Sequence, residues 1–254
     1  MPVLTGLATR LKNDSVWRKN YATNLVLSRS VANKVCLVHV SGNPSRVSFA
    51  DLLSRAPYEI PTSDAVYGYC SNMTRQSEDT LNLGRCVYLY AGRAHPRFGK
   101  IALAFEGMCE VGHTGSVTPF DTGGLANQKI ATNLPDDTPA TLRVFTKASE
   151  VELTKWRKAF SRFLAAYFSS IADYWVGKPS SADPEELLTR NADWRARVFE
   201  IRFHEGQEIV ATSFWCASRG QRQLLEREAK AHPPLGAVES NEQTQKIVGR
   251  ERKL

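Results

Sequence analysis

The chain has 254 residues, of which 42% are hydrophobic and 23% are charged, and its formal net charge is +7. This composition is typical of a globular protein with a packed core, and it excludes a disordered or collagen-like chain. The sequence contains no run of about 20 apolar residues and therefore predicts no membrane-spanning helix. The first residues lack the apolar segment of a secretory signal. We therefore expect a cytoplasmic protein that does not contact a membrane.

The first half of the chain predicts short strands separated by polar segments. Residues 1–33 are polar and predict an N-terminal arm. The β-branched, apolar run at 34–40 predicts a buried strand. Residues 62–84 are polar and weakly periodic, and a mobile loop over a site is one interpretation of them. Two further apolar runs, at 86–91 and 100–105, predict a pair of strands.

The second half of the chain predicts a long amphipathic helix over residues 149–176, preceded by a strand at 141–145. Ser149 and Glu152 have the spacing of a capping box, in which each side chain binds a backbone N–H group of the first turn. Apolar residues then recur at intervals of three and four along the helix. We expect this apolar stripe to pack in the core.

Two more apolar runs, at 197–203 and 208–215, predict strands joined by a tight turn at Gly206. The C-terminal residues 236–254 are polar and predict a frayed tail. Neither a repeat nor a linker divides the sequence. We therefore expect a single α+β domain over residues 1–254, with mixed or antiparallel sheets.

The five cysteines predict reduced thiols. Their number is odd, and no two of them form a C-x-x-C pair. The five histidines do not recur at the spacing of metal ligands. We therefore expect neither a disulfide framework nor a metal site.

Polar turns after the predicted strands supply the candidate binding residues. Arg93 and His95 follow the strand at 86–91, and the planar fork of donors on arginine suits phosphate. The glycine-rich turn at 112–124 carries hydroxyl groups that bind either a ligand or the backbone of the turn itself. The candidates in the turns and strand ends are Thr114, Ser116 and Thr118, with Tyr90, Asp121 and Thr122 in addition.

Glu200 is the candidate catalytic residue. Side chains alternate between the two faces of a strand, so Glu200 and Arg202 share one face and Phe199, Ile201 and Phe203 share the other. The aromatic face has to pack in the core, and we therefore expect Glu200 to face solvent or a cleft. The alternative interpretation is an ordinary Glu–Arg pair on an exposed strand.

Residues 85–100 contain four cations and no acidic residue. Such a segment suits a polyanionic partner or a phosphate-bearing ligand. Arg97 and Lys100 are the candidate nucleic-acid-binding residues. The alternative is a protein that is basic without having an anionic partner.

The order of these features resembles that of the ADP-ribosyltransferase superfamily, particularly its bacterial toxin-like and phage-defence members. The resemblance covers roughly residues 90–215 and includes the segments FGKIALAFE and TPFDTGG, which look like stretches of abortive-infection proteins. It implies an ADP-ribosyltransferase-like fold with NAD as the substrate. Arg93 or His95 would hold NAD, the Ser116-Val117-Thr118 stretch would shape the nicotinamide pocket, and Glu200 would promote cleavage of the glycosidic bond.

This resemblance implies a toxin or defence effector that transfers ADP-ribose to a macromolecule, together with an antitoxin or another partner protein. The basic charge favours DNA or RNA over protein as the acceptor. Two other classes of function stay open. One is a non-catalytic nucleic-acid-binding module, and the other is a metal-dependent nuclease with Glu106, Asp121 and Glu200 as ligands.

Overall fold

One mixed sheet with helices packed against it forms the described part of the chain, which is an α+β arrangement. The computed structural model describes residues 35, 37–41, 72–84, 86–92, 101–105, 111–130, 132, 134, 136–168, 173–174, 198–204, 213–216 and 239–240. The predicted N-terminal arm at 1–33 lies outside these residues.

The sheet contains eight strands within the described ranges. They are β1 (Leu37–Ser41), β2 (Cys86–Ala91), β3 (Ile101–Phe105), β4 (Gly115–Thr118), β5 (Val151–Glu152), β6 (Glu200–His204), β7 (Ser213–Cys216) and β8 (Glu239–Ser240). Their order across the sheet is β5-β4-β6-β2-β1-β3-β7-β8. All neighbours are antiparallel except β7 and β8, which are parallel.

The register divides the middle of the sheet into a polar face and an apolar face. Glu200 lies opposite Tyr90 on one side and Thr118 on the other. Arg202 lies in the same way between Tyr88 and Ser116. The polar face therefore carries Cys86, Tyr88, Tyr90, Ser116, Thr118, Glu200 and Arg202, and the apolar face carries Leu89, Ala91, Val117, Ile201 and Phe203.

Four helices cover these two faces in the described ranges: α1 (Asn72–Leu81), α2 (Thr122–Ala126), α3 (Pro139–Ser149) and α4 (Trp156–Tyr167). Helices α1, α2 and α3 pack on one another and bind the polar face through Glu78 and Thr122. Helix α4 packs on the opposite side, where Phe160 and Phe163 contact the ring of Phe199. The sheet thus has an aromatic core on one side and a polar helix layer on the other.

The predicted strand at 141–145 is wrong, because these residues belong to α3. Thr138 caps this helix by accepting a hydrogen bond from the Thr141 backbone N–H group, and Pro139 stands in its first turn. Both features favour a helix start. Leu142 and Phe145 then face the core at helical spacing, and Phe145 stacks on Phe120 with ring centroids 5.3 Å apart.

The predicted helix over 149–176 is divided in the structure. Ser149 is the last residue of α3, and its hydroxyl donates to the Phe145 carbonyl over 2.8 Å. Residues Val151–Glu152 pair with β4, a short 3-10 turn follows at Leu153–Lys155, and α4 begins only at Trp156. The capping box is therefore wrong, since pairing with β4 holds Val151 and Glu152 in an extended conformation.

The apolar stripe predicted for the long helix is nevertheless buried where the structure describes it. Leu153, Trp156, Phe160, Phe163 and Leu164 are all part of the core. The stripe is correct although the helix is shorter, because burial at intervals of three and four needs only the local helical period.

Several expectations about neighbouring segments are also corrected. Helix α1 occupies much of the predicted loop at 62–84. The strands at 86–91 and 100–105 are confirmed, but β1 lies between them. The predicted hairpin at Gly206 is wrong, because three strands separate β6 from β7. Within the predicted tail, Glu239–Ser240 pairs with β7. Strands that follow one another in the sequence are expected to pair with each other, whereas most neighbouring strands of this sheet come from distant parts of the chain.

Among the described helices, none combines the length and the apolar character needed to cross a bilayer.

Candidate functional site

Glu200 is buried beneath α2 on the polar face, with 1% of its surface exposed. The Thr122 hydroxyl donates to its Oε1 atom over 2.6 Å, and the Thr122 backbone N–H group donates to Oε2 over 3.2 Å. The predicted alternation of Glu200 with its apolar neighbours is confirmed. The expectation that Glu200 faces solvent or a cleft is wrong, because a helix layer covers this face of the sheet as well.

Burial decides the charge state of Glu200. Desolvation raises the pKa of its carboxyl group to about 8, and the neighbouring Asp121 carboxylate adds to the rise. Arg202 and the two hydrogen bonds from Thr122 act in the opposite direction on this pKa. Glu200 is therefore mostly a neutral carboxylic acid at pH 7.

The glycine-rich turn binds mostly to itself and to Glu200. Asp121 caps α2 by accepting a hydrogen bond from the Gly123 N–H group over 3.0 Å. The Thr118 hydroxyl is buried and donates to the Phe120 carbonyl over 3.0 Å. Thr118 and Asp121 thus follow the self-bonded interpretation of this turn, whereas Thr122 binds to Glu200.

A second polar cluster lies beside Glu200 and centres on Arg202. Its Nη2 atom donates to the Glu150 carboxylate over 2.8 Å and to the Ser116 hydroxyl over 3.0 Å. The Ser116 hydroxyl donates in turn to Glu150 over 3.3 Å. Lys147 forms an ion pair with the other Glu150 oxygen over 3.0 Å. Arg202 is 1% exposed, whereas the Glu150 side chain is 14% exposed.

A cavity of about 670 Å³ lies against this second cluster. Its floor is formed by the buried residues Cys86, Thr146 and Arg202. One side is formed by Arg143 and Lys147 of α3 and by Glu150, which directly follows this helix. The other side is a stripe with Lys155, Lys158 and Arg162. We call this space the α3–α4 cavity.

The lining of the α3–α4 cavity is strongly cationic. Within the described residues it contains Arg143, Lys147, Lys155, Lys158, Arg162 and Arg202, and its carboxylates are Glu150 and Glu152. Arg143 and Lys147 are four residues apart on α3, and Lys158 and Arg162 are four residues apart on α4, so each pair lies on one side of its helix. The cavity therefore presents a net positive potential to a ligand.

The other end of the polar face is closed by α1. The buried Glu78 carboxylate accepts hydrogen bonds from the Tyr88 hydroxyl over 3.1 Å and from the Cys86 N–H group over 3.3 Å. Burial raises the pKa of Tyr88 well above its ordinary value and that of Cys86 to about 12. Cys86 is therefore a protonated free thiol with little nucleophilic character.

The predicted site residues do not all meet at one place. Ser116 lines the α3–α4 cavity, but Glu200 does not. Tyr90 is buried, and Thr114 is exposed with its carbonyl accepting a hydrogen bond from the His204 N–H group. The remaining candidates lie outside the described residues: Arg93, His95, Arg97, Lys100 and Glu106.

Sequence reasoning missed Glu150, Lys155 and the two α4 cations Lys158 and Arg162 as cavity residues. Lys155, Lys158 and Arg162 follow one another at helical spacing opposite the apolar stripe, a signal that was present in the sequence. Glu150 carries no comparable signal, because only the pairing of β4 with β5 and β6 brings it to Ser116 and Arg202.

The described residues contain no group of three or more histidine, cysteine, aspartate or glutamate side chains suited to hold a metal ion. Comparisons with protein-family models, curated proteins and solved structures found no match.

Proposed function

We propose that this protein binds a phosphate-bearing ligand in the α3–α4 cavity. The observation that carries the proposal is the set of six cations and two carboxylates around one cavity. Its volume of about 670 Å³ falls within the range of about 300–1,000 Å³ that is typical of small-molecule sites. A nucleotide is a ligand of this size and charge.

Not all of these cations are neutralised by protein carboxylates. Arg143 donates to the backbone carbonyls of Asp79 and Thr80, which carry no net charge. Within the described part of the chain, Lys158 forms no ion pair. By contrast, Lys155 is paired with Glu152, and Arg202 is paired with Glu150. Arg143 and Lys158 are therefore the cations best able to attract a phosphate group.

In its specific form, the proposal is that the ligand is NAD and that the protein transfers ADP-ribose to a macromolecule. The resemblance in sequence supports NAD, and the cationic lining suits its pyrophosphate. In this reaction the bond between nicotinamide and ribose breaks and nicotinamide leaves. A nucleophile of the acceptor, with DNA or RNA favoured over protein, then forms the new bond to the same ribose carbon. A toxin or defence effector is the corresponding biological role.

The carboxylate that faces the ligand in this proposal is Glu150. A carboxylate stabilises the positive charge that develops on the ribose when nicotinamide leaves. Glu150 lines the cavity and is oriented by Arg202 and Ser116. Glu200 lies behind Arg202, with its Oε1 atom 3.7 Å from the Arg202 Nε atom. We therefore assign Glu200 the role of a positioning residue.

The binding step is tested with Lys158→Glu, measured by calorimetric titration with inorganic pyrophosphate and with ADP-ribose. We expect the Kd for both compounds to rise by about tenfold or more, because the change replaces an attraction by a repulsion. Lys129→Glu is the matched control, since Lys129 is exposed and does not line the cavity. Equal effects of the two substitutions would contradict a site in the α3–α4 cavity.

The reaction is tested by following nicotinamide release from NAD in the presence of DNA, RNA or a protein mixture. We expect release by the wild-type protein and a loss of about 10²-fold in Glu150→Gln, which keeps the shape of the side chain but removes its charge. Binding without release by the wild type would leave the non-catalytic module as the better assignment. Cleavage of nucleic acid that requires Mg²⁺ would favour the nuclease hypothesis with Glu106, Asp121 and Glu200.

A further inference from the structure

The hydroxyl group of Thr146 is an unsatisfied polar group at the floor of the α3–α4 cavity. Thr146 is 1% exposed and lines the cavity. Its Oγ1 atom has no hydrogen-bond partner within the part of the chain that the structure describes. Burying a hydroxyl without a partner costs free energy that a hydrogen bond would recover.

Another hydroxyl of the same helix shows that α3 can satisfy such a group internally. Ser149 lies one turn after Thr146 and donates to the carbonyl of Phe145, four residues before it. Within the described residues the corresponding bond from Thr146 is absent, and Thr146 is one of the residues that line the cavity. A partner for Thr146 would therefore come from the contents of the cavity.

The floor around Thr146 differs in charge from the rim of the cavity. The Glu150 carboxylate pairs with Arg202 and offsets its charge, so that the floor presents hydrogen-bonding groups with little net charge. The exposed cations Arg143 and Lys158 stand at the rim. This distribution suits a ligand with a phosphate at one end and an uncharged, hydroxyl-bearing group at the other.

We infer that the α3–α4 cavity takes a sugar phosphate moiety, with the phosphate at the rim and a sugar hydroxyl bound to Thr146 at the floor. The inference rests on the proposed function and specifies which part of the bound ligand lies deepest in the cavity. Thr146 acts as both donor and acceptor to the sugar, while the Glu150 carboxylate accepts a hydrogen bond from a second hydroxyl. Thr146 is a binding residue in this arrangement.

The experiment compares two probes, ribose 5-phosphate and inorganic pyrophosphate, in calorimetric titrations of the full-length protein. Thr146→Val keeps the volume of the side chain and removes its hydroxyl. We expect it to weaken binding of ribose 5-phosphate by about five- to tenfold, the scale of one hydrogen bond. Binding of pyrophosphate should change less than about twofold, because the phosphate groups stay at the rim.

Two further variants complete the design. Thr146→Ser keeps the hydroxyl and should restore binding of ribose 5-phosphate. Thr154→Val removes an exposed hydroxyl outside the cavity and should have no effect. The Tm of ligand-free Thr146→Val should equal or exceed that of the wild type, since an unsatisfied buried group is lost.

The outcomes separate this inference from the function on which it rests. If pyrophosphate binds to the wild type but Thr146→Val binds ribose 5-phosphate unchanged, the assignment of Thr146 is overturned and the phosphate site stands. An equal loss for both probes also overturns it, because Thr146 would then support the whole cavity. If the wild type binds neither probe, both the proposed function and this inference fail.

Discussion

Two acidic side chains, the Glu150 carboxylate and the protonated Glu200 carboxyl group, flank one buried guanidinium group, that of Arg202. Glu150 approaches it within 2.8 Å and Glu200 within 3.7 Å. Removal of Glu150 would leave the buried charge of Arg202 without compensation, and such a loss destabilises a protein strongly. The three residues therefore form one unit, in which Glu150 faces the cavity and Glu200 is enclosed.

The pH dependence of stability follows from the charge state of Glu200. Its pKa is about 8 in the folded protein, above its ordinary value of 4.5, so the folded state retains a proton that the unfolded state has lost. The free energy of unfolding should then fall as the pH rises from about 5 to about 8, on the order of a few kcal/mol. The glutamine in Glu200→Gln has no ionisable proton, so we expect its free energy of unfolding to fall less over the same pH range. Urea denaturation at pH 5, 6.5 and 8 measures this difference.

Glu152→Gln is the matched control for this experiment, because the Glu152 side chain is 70% exposed. It should retain the pH dependence of the wild type. A fall in Glu200→Gln as large as that in the wild type would show that groups other than Glu200 cause the pH dependence.

The hydrogen bonds that join Arg202, Ser116 and Glu150 depend on the pairing of β4 with β6. Ser116 stands opposite Arg202 in this register, directly after Gly115. A Cβ atom at position 115 would collide with the backbone carbonyl of Arg202. Only glycine allows the two strands to approach so closely, since it has no side chain.

Gly115→Ala should therefore separate β4 from β6 and cost stability and ligand binding together. We expect a loss of about 2–3 kcal/mol or more in the free energy of unfolding, as for other changes that overpack a close contact. Gly84→Ala is the control: Gly84 has a φ of +71° but open space around its Cβ position, so only backbone strain of about 1–2 kcal/mol is expected. Equal losses of stability and unchanged binding in both variants would argue against a role of the β4–β6 contact.

Considered as a whole, the molecule carries a net charge of +7, and two of its regions are rich in cations. One is the α3–α4 cavity, whose size suits a small ligand, and the other is the sequence segment 85–100. A polymeric nucleic acid releases counterions at each phosphate contact, so its binding weakens with salt in proportion to the number of contacts. We therefore expect that mutations can separate the proposed binding of a nucleic acid from the proposed binding of the small ligand.

The double substitution Arg97→Glu with Lys100→Glu tests this separation. We expect it to weaken binding of single- or double-stranded DNA and to lower the slope of log K against log salt by about one to two. Binding of ADP-ribose should stay within about twofold of the wild type, whereas Lys158→Glu should show the reverse pattern. An unchanged salt slope would place the nucleic-acid contact outside residues 85–100.

Short-range patterns were sufficient to predict many of the elements. The strands at 86–91 and 100–105 follow from short apolar runs. The alternation of Glu200 and Arg202 with Phe199, Ile201 and Phe203 follows from the period of two in a strand. The α+β class follows from the mixture of such patterns. These features depend on residues that are close in sequence, which is why the sequence alone determined them.

Only the tertiary structure decided what those elements touch. The sequence does not specify that α2 covers Glu200, because Thr122 is 78 residues away. Strand β1 enters between β2 and β3, and Val151–Glu152 joins β4 and ends the predicted long helix. The α3–α4 cavity likewise needs three helices (α1, α3 and α4) and four strands (β2, β4, β5 and β6) to be in place. Each of these contacts depends on long-range pairing and layer packing, whose free energy is set by the whole chain and not by a local period.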